Sequence, residues 1–437
     1  LLFPQAFPAG KDFSPLKFNN QDFTHLRDYC LSRGLLFEDD TFPTHVSSIG
    51  PNLLSEDKLS RLQWKRPTMI ERNPHLVVDG VSRFDIVQGE IGDCWVLAAL
   101  GSLTLQRQFL ENVLPKDQGF EENYAGIFHF RFWHFGDWVD VVIDDRLPFL
   151  NGRYLSVQPR SRNEFWPSLL EKAYAKLRGS YQNLHWGYIS DALVDLTGGV
   201  QVQFLLQKPP SDLQEIIKAA AKSQCLVGCT TPGGVKLKNG LVKGHAYTVT
   251  GATEIPYKNG WEDIIRVWNP WGHGEWRGPW SDEMSCQAFA EQFSLLCICN
   301  NTPSFLEFGD QHGTRWSLAM YVNQWARGLT AGGSNYHNGN ECPKDCRGTI
   351  NNFLPFQGLR DRLPVAFFSQ YKSKILKCGF NVATRDVTNY FFLSPGTYVV
   401  VPATSEEGQE AEFLLRIFLR MLLSPCYMEK LRHREAE

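Results

Sequence analysis

Four residues of this chain could share one reaction. Cys94 stands in QGEIGDCWVLAALGSLT, residues 88–104, between an acid and a tryptophan and ahead of a long apolar run. A cysteine is a nucleophile only as its thiolate, and a helix N-terminus with a nearby imidazolium lowers its pKa. Cys94 follows Gly-Asp and opens the apolar segment, which puts its sulfur at the positive end of a helix dipole. The histidine for such a pair is His245 in KGHAYTVTGA, 151 positions downstream, and Asn269 in NPWG follows 24 positions later. A side-chain carbonyl there would fix the imidazole tautomer. Gln88, six positions before the thiol, carries an amide that could join the nucleophile's own N–H in stabilising an oxyanion. For any single Cys/His pair, a buried cysteine and an unrelated core histidine is the plainer reading. Four residue types in this order favour catalysis.

These residues must be positioned by more than one folding unit, because 437 residues exceed one ordinary core. Hydrophobic content of 43% and charged content of 21% are those of a globular protein, and a net charge of −3 gives no reason to expect nucleic acid as a partner. The first residues, LLFPQAFPAGKDF, have no basic region and no apolar run of the signal-peptide kind. No stretch of eighteen apolar residues predicts a transmembrane helix. The eleven cysteines are odd in number and scattered, which favours reduced thiols and a cytoplasmic location. Cys225/Cys229, Cys342/Cys346 and Cys297/Cys299 lack the CxxC spacing of a structural zinc site and read as small buried hydrophobes.

Along the chain, QDFTHLRDYCLSRG predicts a helix ended by Gly34, and WVLAALGSL predicts a buried one. AGIFHFRFW and VDVVID form a hairpin turned at Gly136-Asp137, with Phe128, Phe130 and Phe132 on one face and His129 and Arg131 on the other. NEFWPSLLEKAYAKLRGSY puts Trp166, Leu169, Leu170, Ala173, Tyr174 and Leu177 on one helical stripe. The double glycine near residue 198 suggests a boundary. It is followed by the helix LQEIIKAAAKS and the strands CLVGCTT, HAYTVTGATEI and DIIRVWNP. Beyond residue 303, VAFFSQY, TYVVVPA and AEFLLRIFL read as strands of a β-sandwich. FLLRIFLRMLL, 413–423, fits the last strand of that sandwich better than an amphipathic membrane helix. Asp144 and Asp145 are adjacent in an extended segment, so their side chains face opposite ways and are unsuited to sharing a proton.

Papain-like enzymes separate their cysteine from its partners by about 130–150 residues, close to the spacing here. QGEIGDCWVLAALGSLT, YAGIFHFRFW, VVIDDRLP, EFWPSLLEKAYAKL, LVKGHAYTVTGA and NPWGHGEWRGPWSD resemble, in order, the protease core of the calpain family. GLTAGG and LSPGTYVVVPA resemble its β-sandwich domain more loosely. The resemblance implies an α+β chain: a two-lobed papain-like calpain protease core followed by a C2-like β-sandwich. The implied divisions are a lead-in over 1–18, a cysteine lobe over 19–198, a shortened histidine/asparagine lobe over 199–303, a shortened sandwich over 304–420 and a tail over 421–437. It implies that Cys94 is the nucleophile of a cysteine endopeptidase, His245 its base and acid, Asn269 the orienting residue and Gln88 the oxyanion donor. Trp271 would be the tryptophan that wedges the cleft in the absence of calcium.

The same resemblance implies two Ca2+ sites. The first would use the carbonyls of Val78 and Gly80 with Asp85 and Glu164, an oxygen set suited to a hard cation. The second would use Glu275 and Asp282, but the family's following stretch is missing, since WSDEMSC runs almost directly into QAFAEQFSLLCICNNTP. Arg83 matches the arginine that couples the sites through a glutamate in that missing stretch. No EF-hand pattern precedes the end at REAE, so no EF-hand-mediated small-subunit dimer is expected. The implied function is limited intracellular proteolysis of protein substrates, with peripheral membrane association through the sandwich as a further possibility. Two rivals exist: a calpain-like binding form that cannot align its site, and transglutaminase-like acyl transfer. The second conflicts with Gly-Asp-Cys-Trp, where that family has Gly-Gln-Cys-Trp.

Overall fold

The computed structural model describes residues 14–161, 163–234, 239–278, 283–301, 315–326, 385–388, 391, 400, 402 and 409–421. They fall into two compact units, one within residues 12–310 and one within residues 311–437.

In the first unit, α1 (Phe23–Arg33) starts on the Asp22 side chain, which accepts from the His25 N–H, and stops at Gly34 with φ 63°. Helix α2 (Cys94–Leu103) is followed by the hairpin β1 (Ile127–His134) and β2 (Asp137–Asp144), paired from Ile127↔Asp144 to His134↔Asp137. Helices α3 (Trp166–Leu177) and α4 (Ile189–Thr197) come next. β3 (Val200–Leu205), α5 (Leu213–Lys222), β4 (Leu226–Thr230), β5 (Ala246–Tyr257), β6 (Gly260–Trp268), β7 (Glu283–Ser285) and β8 (Leu295–Asn300) follow, with shorter elements between them. The last six strands form one antiparallel sheet in the order β7-β6-β5-β4-β8-β3.

That sheet is covered on both faces, and side-chain alternation sorts its residues between two cores. Leu226, Ala246, Trp268, Cys297 and Cys299 point into the core built on α2, α3, α4 and the hairpin. Their neighbours Val227, Tyr247, Val267 and Ile298 point into a second core with Leu213, Ile216 and Ile217 of α5. Helix α2 is apolar all round and buried from Trp95 to Leu103. It sits directly on the sheet: Thr248 Oγ1 donates to the Ala98 carbonyl at 2.6 Å, and the Val227 N–H donates to Ser102 Oγ at 2.9 Å. A Cβ at Gly101 would collide with Thr248 Oγ1 and the Trp268 indole, so glycine is what permits this approach.

The stripe on α3 understates its burial. Every residue from Trp166 to Leu177 is buried, including the two lysines. Lys172 Nζ donates to Asp144 Oδ1 and the Arg146 carbonyl, each at 2.6 Å, and Lys176 Nζ to Asp39 Oδ2 and the Val142 carbonyl, also at 2.6 Å. Asp145 faces the other way, to Arg66 and the Tyr124 hydroxyl. The hairpin's second face is covered as well: His129 stacks on Phe23 with ring centroids 3.9 Å apart and lies between Asp140 and Asp117.

In the second unit, β9 (Arg315–Trp325) and β10 (Ala411–Met421) pair antiparallel from Arg315↔Met421 to Trp325↔Ala411. Residues 411–421 are therefore a strand. VAFFSQY and all but single positions of TYVVVPA lie outside the described residues. No helix among the described residues is long and apolar enough to cross a membrane.

An exposed ion pair contributes about 0–1 kcal/mol, but stripping one partner from a buried pair costs about 3–5 kcal/mol. Lys172→Ala removes one of the two cations that meet the buried Asp144 and leaves it paired with Arg146 alone. The expected loss of stability in urea unfolding is about 2–4 kcal/mol, below the full cost of an unpaired buried charge. A loss below about 1 kcal/mol would show that the Lys172–Asp144 pair behaves as a surface one.

Candidate active site

Cys94 is the first residue of α2. Asp93 holds the N-cap position, yet its side chain makes no capping bond. The thiol is partly buried and lies beside the Ala246 N–H, at the start of β5. Burial pushes its pKa up to about 11; the Ala246 N–H opposes that rise and the Asp93 charge adds to it.

His245, directly before β5, is anchored through its backbone: its carbonyl accepts from the Thr231 N–H at 3.0 Å, and its N–H donates to Thr231 Oγ1 at 3.1 Å. Its Nε2 lies 2.7 Å from Asn269 Oδ1. Asn269 is fully buried, and Nδ2 donates to the carbonyls of His273 at 3.0 Å and Gly274 at 2.9 Å. Both amide hydrogens are thus engaged, so Oδ1 must be the atom facing the ring, where it also accepts from the Trp271 N–H at 3.0 Å. Nε2 therefore carries the ring hydrogen and Nδ1 keeps its lone pair. Burial pulls the His245 pKa down to about 4, against the opposing effect of Asn269. The Trp271 ring packs on the imidazole, centroids 4.9 Å apart. Among the described residues no hydrogen bond joins Cys94 Sγ to His245, and both groups are neutral at pH 7.

The loop before Cys94 is stitched to both sides of the site. The Gln88 N–H donates to the Pro270 carbonyl at 3.0 Å, next to Asn269, and the Glu90 N–H to the Leu155 carbonyl at 2.9 Å. Gly89 between them lies so close to the Leu155 and Ser156 carbonyls that a Cβ would clash with both. Gln88 Nε2 donates to the Ile91 carbonyl at 2.8 Å and to Asp93 Oδ1 at 3.4 Å. Both of its amide hydrogens are used inside the loop, so reaching an oxyanion requires the side chain to turn outward.

The first proposed oxygen set converges in part. The Val78 N–H donates to Glu164 Oε1 at 2.9 Å, and Asp79 (φ 54°) and Gly80 (φ 96°) form a left-handed turn beside it. Asp85 Oδ2 accepts from the Ser82 N–H at 2.7 Å and from Trp166 Nε1 at 3.1 Å. Burial lifts Glu164 to about 7, against the Val78 N–H, and the charges of Asp85 and Asp79 add to the rise. Two carboxylates that repel each other beside a carbonyl-bearing turn are the donors a hard cation takes. Of the second set, Glu275 Oε1 accepts from the Asn269 N–H at 3.3 Å, and Asp282 lies outside the described residues. The Arg83 guanidinium lies over the Phe84 ring, 4.3 Å from its centroid. Among the described residues there is no group of three or more His, Cys, Asp and Glu placed to hold a metal.

Three residues near Cys94 were missed by sequence reasoning. Glu171, inside the buried α3, is fully buried and contacts Asp93. His185 Nδ1 accepts from the Gly92 N–H at 3.1 Å, and the Trp186 N–H donates to the Gly92 carbonyl at 3.0 Å. Trp186 has φ 69° and is 70% exposed, uncommon for so large a side chain. The sequence offered no signal for Glu171, because an acid beside a lysine in an amphipathic helix reads as a solvent-facing pair.

Nitrogen-15 NMR of His245 is expected to show a neutral ring with the hydrogen on Nε2 from pH 8 down to about pH 5. Its folded pKa lies below the unfolded value, so the stability it confers is present above pH 6.5 and is lost as pH falls towards 4. An imidazolium spectrum at pH 6 would contradict the described burial.

The family description "Calpain family cysteine protease" matches residues 37–290, and "Calpain large subunit, domain III" matches residues 353–418. Calpain-13 of Rattus norvegicus is 46% identical to this chain, over 94% of it and 70% of that protein. Calpain-9 of Homo sapiens is 36% identical, over 95% of the chain and 69% of its own length. The calpain-1 catalytic subunit of Rattus norvegicus is 38% identical, over 94% and 68%. The architecture is accordingly the calpain protease core followed by the C2-like domain III. With a cysteine opening a buried helix and a histidine–asparagine pair at the neighbouring ends of β5 and β6, this chain belongs to the calpain family of cysteine proteases.

Proposed function

We propose that the chain is a calcium-dependent cysteine endopeptidase that makes limited cuts in intracellular protein substrates through Cys94, His245 and Asn269. The observation that supports this most is the Asn269 amide, which leaves His245 Nδ1 as a free acceptor beside the strand that meets the first turn of α2. In this reading Nδ1 takes the thiol proton as Sγ attacks the substrate carbonyl carbon. The same proton then passes to the departing amine as the C–N bond breaks. Water, deprotonated by the imidazole, hydrolyses the thioester and restores the thiol. The N–H of Cys94 and a reoriented Gln88 amide would donate to the oxyanion.

A thiol near 11 and an imidazole near 4 disfavour the ion pair by several powers of ten, so the pair must form in a different arrangement of these groups. Calcium held by the Val78 and Gly80 carbonyls with Asp85 and Glu164 would supply positive charge between carboxylates that otherwise oppose each other. This reading places Trp271 as the group that must leave His245 for a substrate to enter.

A second reading is a form that binds but does not cut. The engagement of Glu275 with the Asn269 loop, together with the stretch missing between WSDEMSC and QAFAEQF, favours it.

Labelling of Cys94 by a peptidyl epoxide, with and without calcium, separates the two readings. The endopeptidase reading expects calcium-dependent labelling that Cys94→Ala abolishes and Glu164→Ala weakens about tenfold or more. A folded protein that stays unlabelled and leaves casein intact at millimolar-order calcium would favour the binding form.

A further inference from the structure

Directly behind the nucleophile lie two fully buried carboxyl groups that the reaction above does not use. Asp93 is turned away from the N–H groups of α2 and takes one hydrogen from Gln88 Nε2 through Oδ1. Glu171, reaching over from α3, accepts the Val157 N–H at 2.9 Å through Oε2. The remaining oxygens, Asp93 Oδ2 and Glu171 Oε1, take no protein donor at full hydrogen-bond geometry, although each is shielded from water; the Ser156 hydroxyl is the donor beside Glu171. The two side chains are hydrogen-bonding neighbours of each other. Two carboxylates are acceptors only, so their contact becomes a hydrogen bond only when one of them keeps its proton. A single proton held between the two carboxyls supplies that bond.

We infer that Asp93 and Glu171 share one proton behind Cys94, and that Glu171 thereby acts as a positioning residue for the thiol and for Gln88. The inference rests on the reading of Cys94 as the nucleophile. Among the described residues no cation takes the proton's place: Lys172, next to Glu171 in sequence, is held by Asp144 and the Arg146 carbonyl. The other groups that face Glu171 are the Tyr181 hydroxyl, on which Asp144 also acts, and Ser156 Oγ; Cys94 faces Asp93. Burial raises both carboxyls, Asp93 to about 6 and Glu171 well above the usual carboxylate range, with the Asp93 charge and its hydrogen bond adding to the second. At neutral pH the pair therefore carries one negative charge, with the proton on Glu171. That single charge orients the Gln88 amide. A second charge would drive the carboxyls apart, loosen the loop that carries Gln88, and hold the thiol protonated more strongly.

The test uses the full chain as wild type, Glu171→Gln and Asp93→Asn, with Cys94→Ala as the blank. Infrared spectroscopy at pH 7 should show the band of a protonated, buried carboxylic acid that persists in Glu164→Gln, whose own carboxyl lies near 7 in the wild type, and Glu171→Gln should remove that persisting component. Alkylation of Cys94 by iodoacetamide, which needs neither calcium nor peptide recognition, reads the thiol titration. Its midpoint should fall by on the order of one pH unit in Glu171→Gln and in Asp93→Asn, because each removes a negative charge near the sulfur at alkaline pH. A purely structural role would leave that midpoint in place. A folded wild type without the band, or a midpoint unmoved in both variants, overturns the inference. The band does not depend on either variant folding. Wild type that shows the band and the shifts, yet is never labelled by the epoxide, overturns the endopeptidase reading alone and leaves the shared proton standing.

Discussion

The contact between α2 and the antiparallel sheet organises the first unit. A helix with no polar side can be stable only where every direction is packed, and α2 meets that condition by lying between the hairpin core and the strands β4, β5 and β6. Gly101 allows the backbone to approach, while Thr248 and Ser102 fasten it with hydrogen bonds to and from main-chain atoms. Because β5 starts at Ala246, the same contact that buries the helix brings its first residue against the end of the segment carrying His245. The chemistry is thus set by packing at a distance from it: a slip of one residue in β5 would exchange Ala246 for Tyr247 in the helix-facing core.

Burial of charge is the second recurring feature. Lys172, Lys176, Asp39, Asp144 and Asp145 are all taken out of water around α3, and each is met by an opposite charge. Asp93 and Glu171 are the exception in kind, since what they face is each other. Such groups cost stability to enclose, so their presence along one helix indicates a local arrangement held for reasons besides packing.

Much of this was legible in the residues. Gly34 as a left-handed helix end, the Phe128/Phe130/Phe132 face, the strands at 226–230, 246–257 and 260–268, and the apolar helix after Cys94 all follow from local pattern, because period and cap chemistry act over a few residues. The burial of the whole of α3 did not follow. Its lysines are satisfied by Asp39 and Asp144, which come from remote parts of the chain, and no periodicity reports a partner at that range. The order of Gln88, Cys94, His245 and Asn269 was readable, but not the inward turn of the Gln88 amide or the absence of a thiol–imidazole bond. The first depends on the bonds of that amide to Ile91 and Asp93, and the second on the placement of two segments 151 positions apart in sequence.

The Asn269 amide has a wider consequence. Its orientation is dictated by the carbonyls of His273 and Gly274, so which nitrogen of a distant ring is basic is recorded in the course of five residues of main chain. Side-chain identity at His245 and Asn269 is then necessary but silent about polarity. A loop that kept both residues but turned those carbonyls elsewhere would let the amide invert, and the same histidine would present a hydrogen where it now presents an electron pair. Acid–base character here is a property of backbone shape.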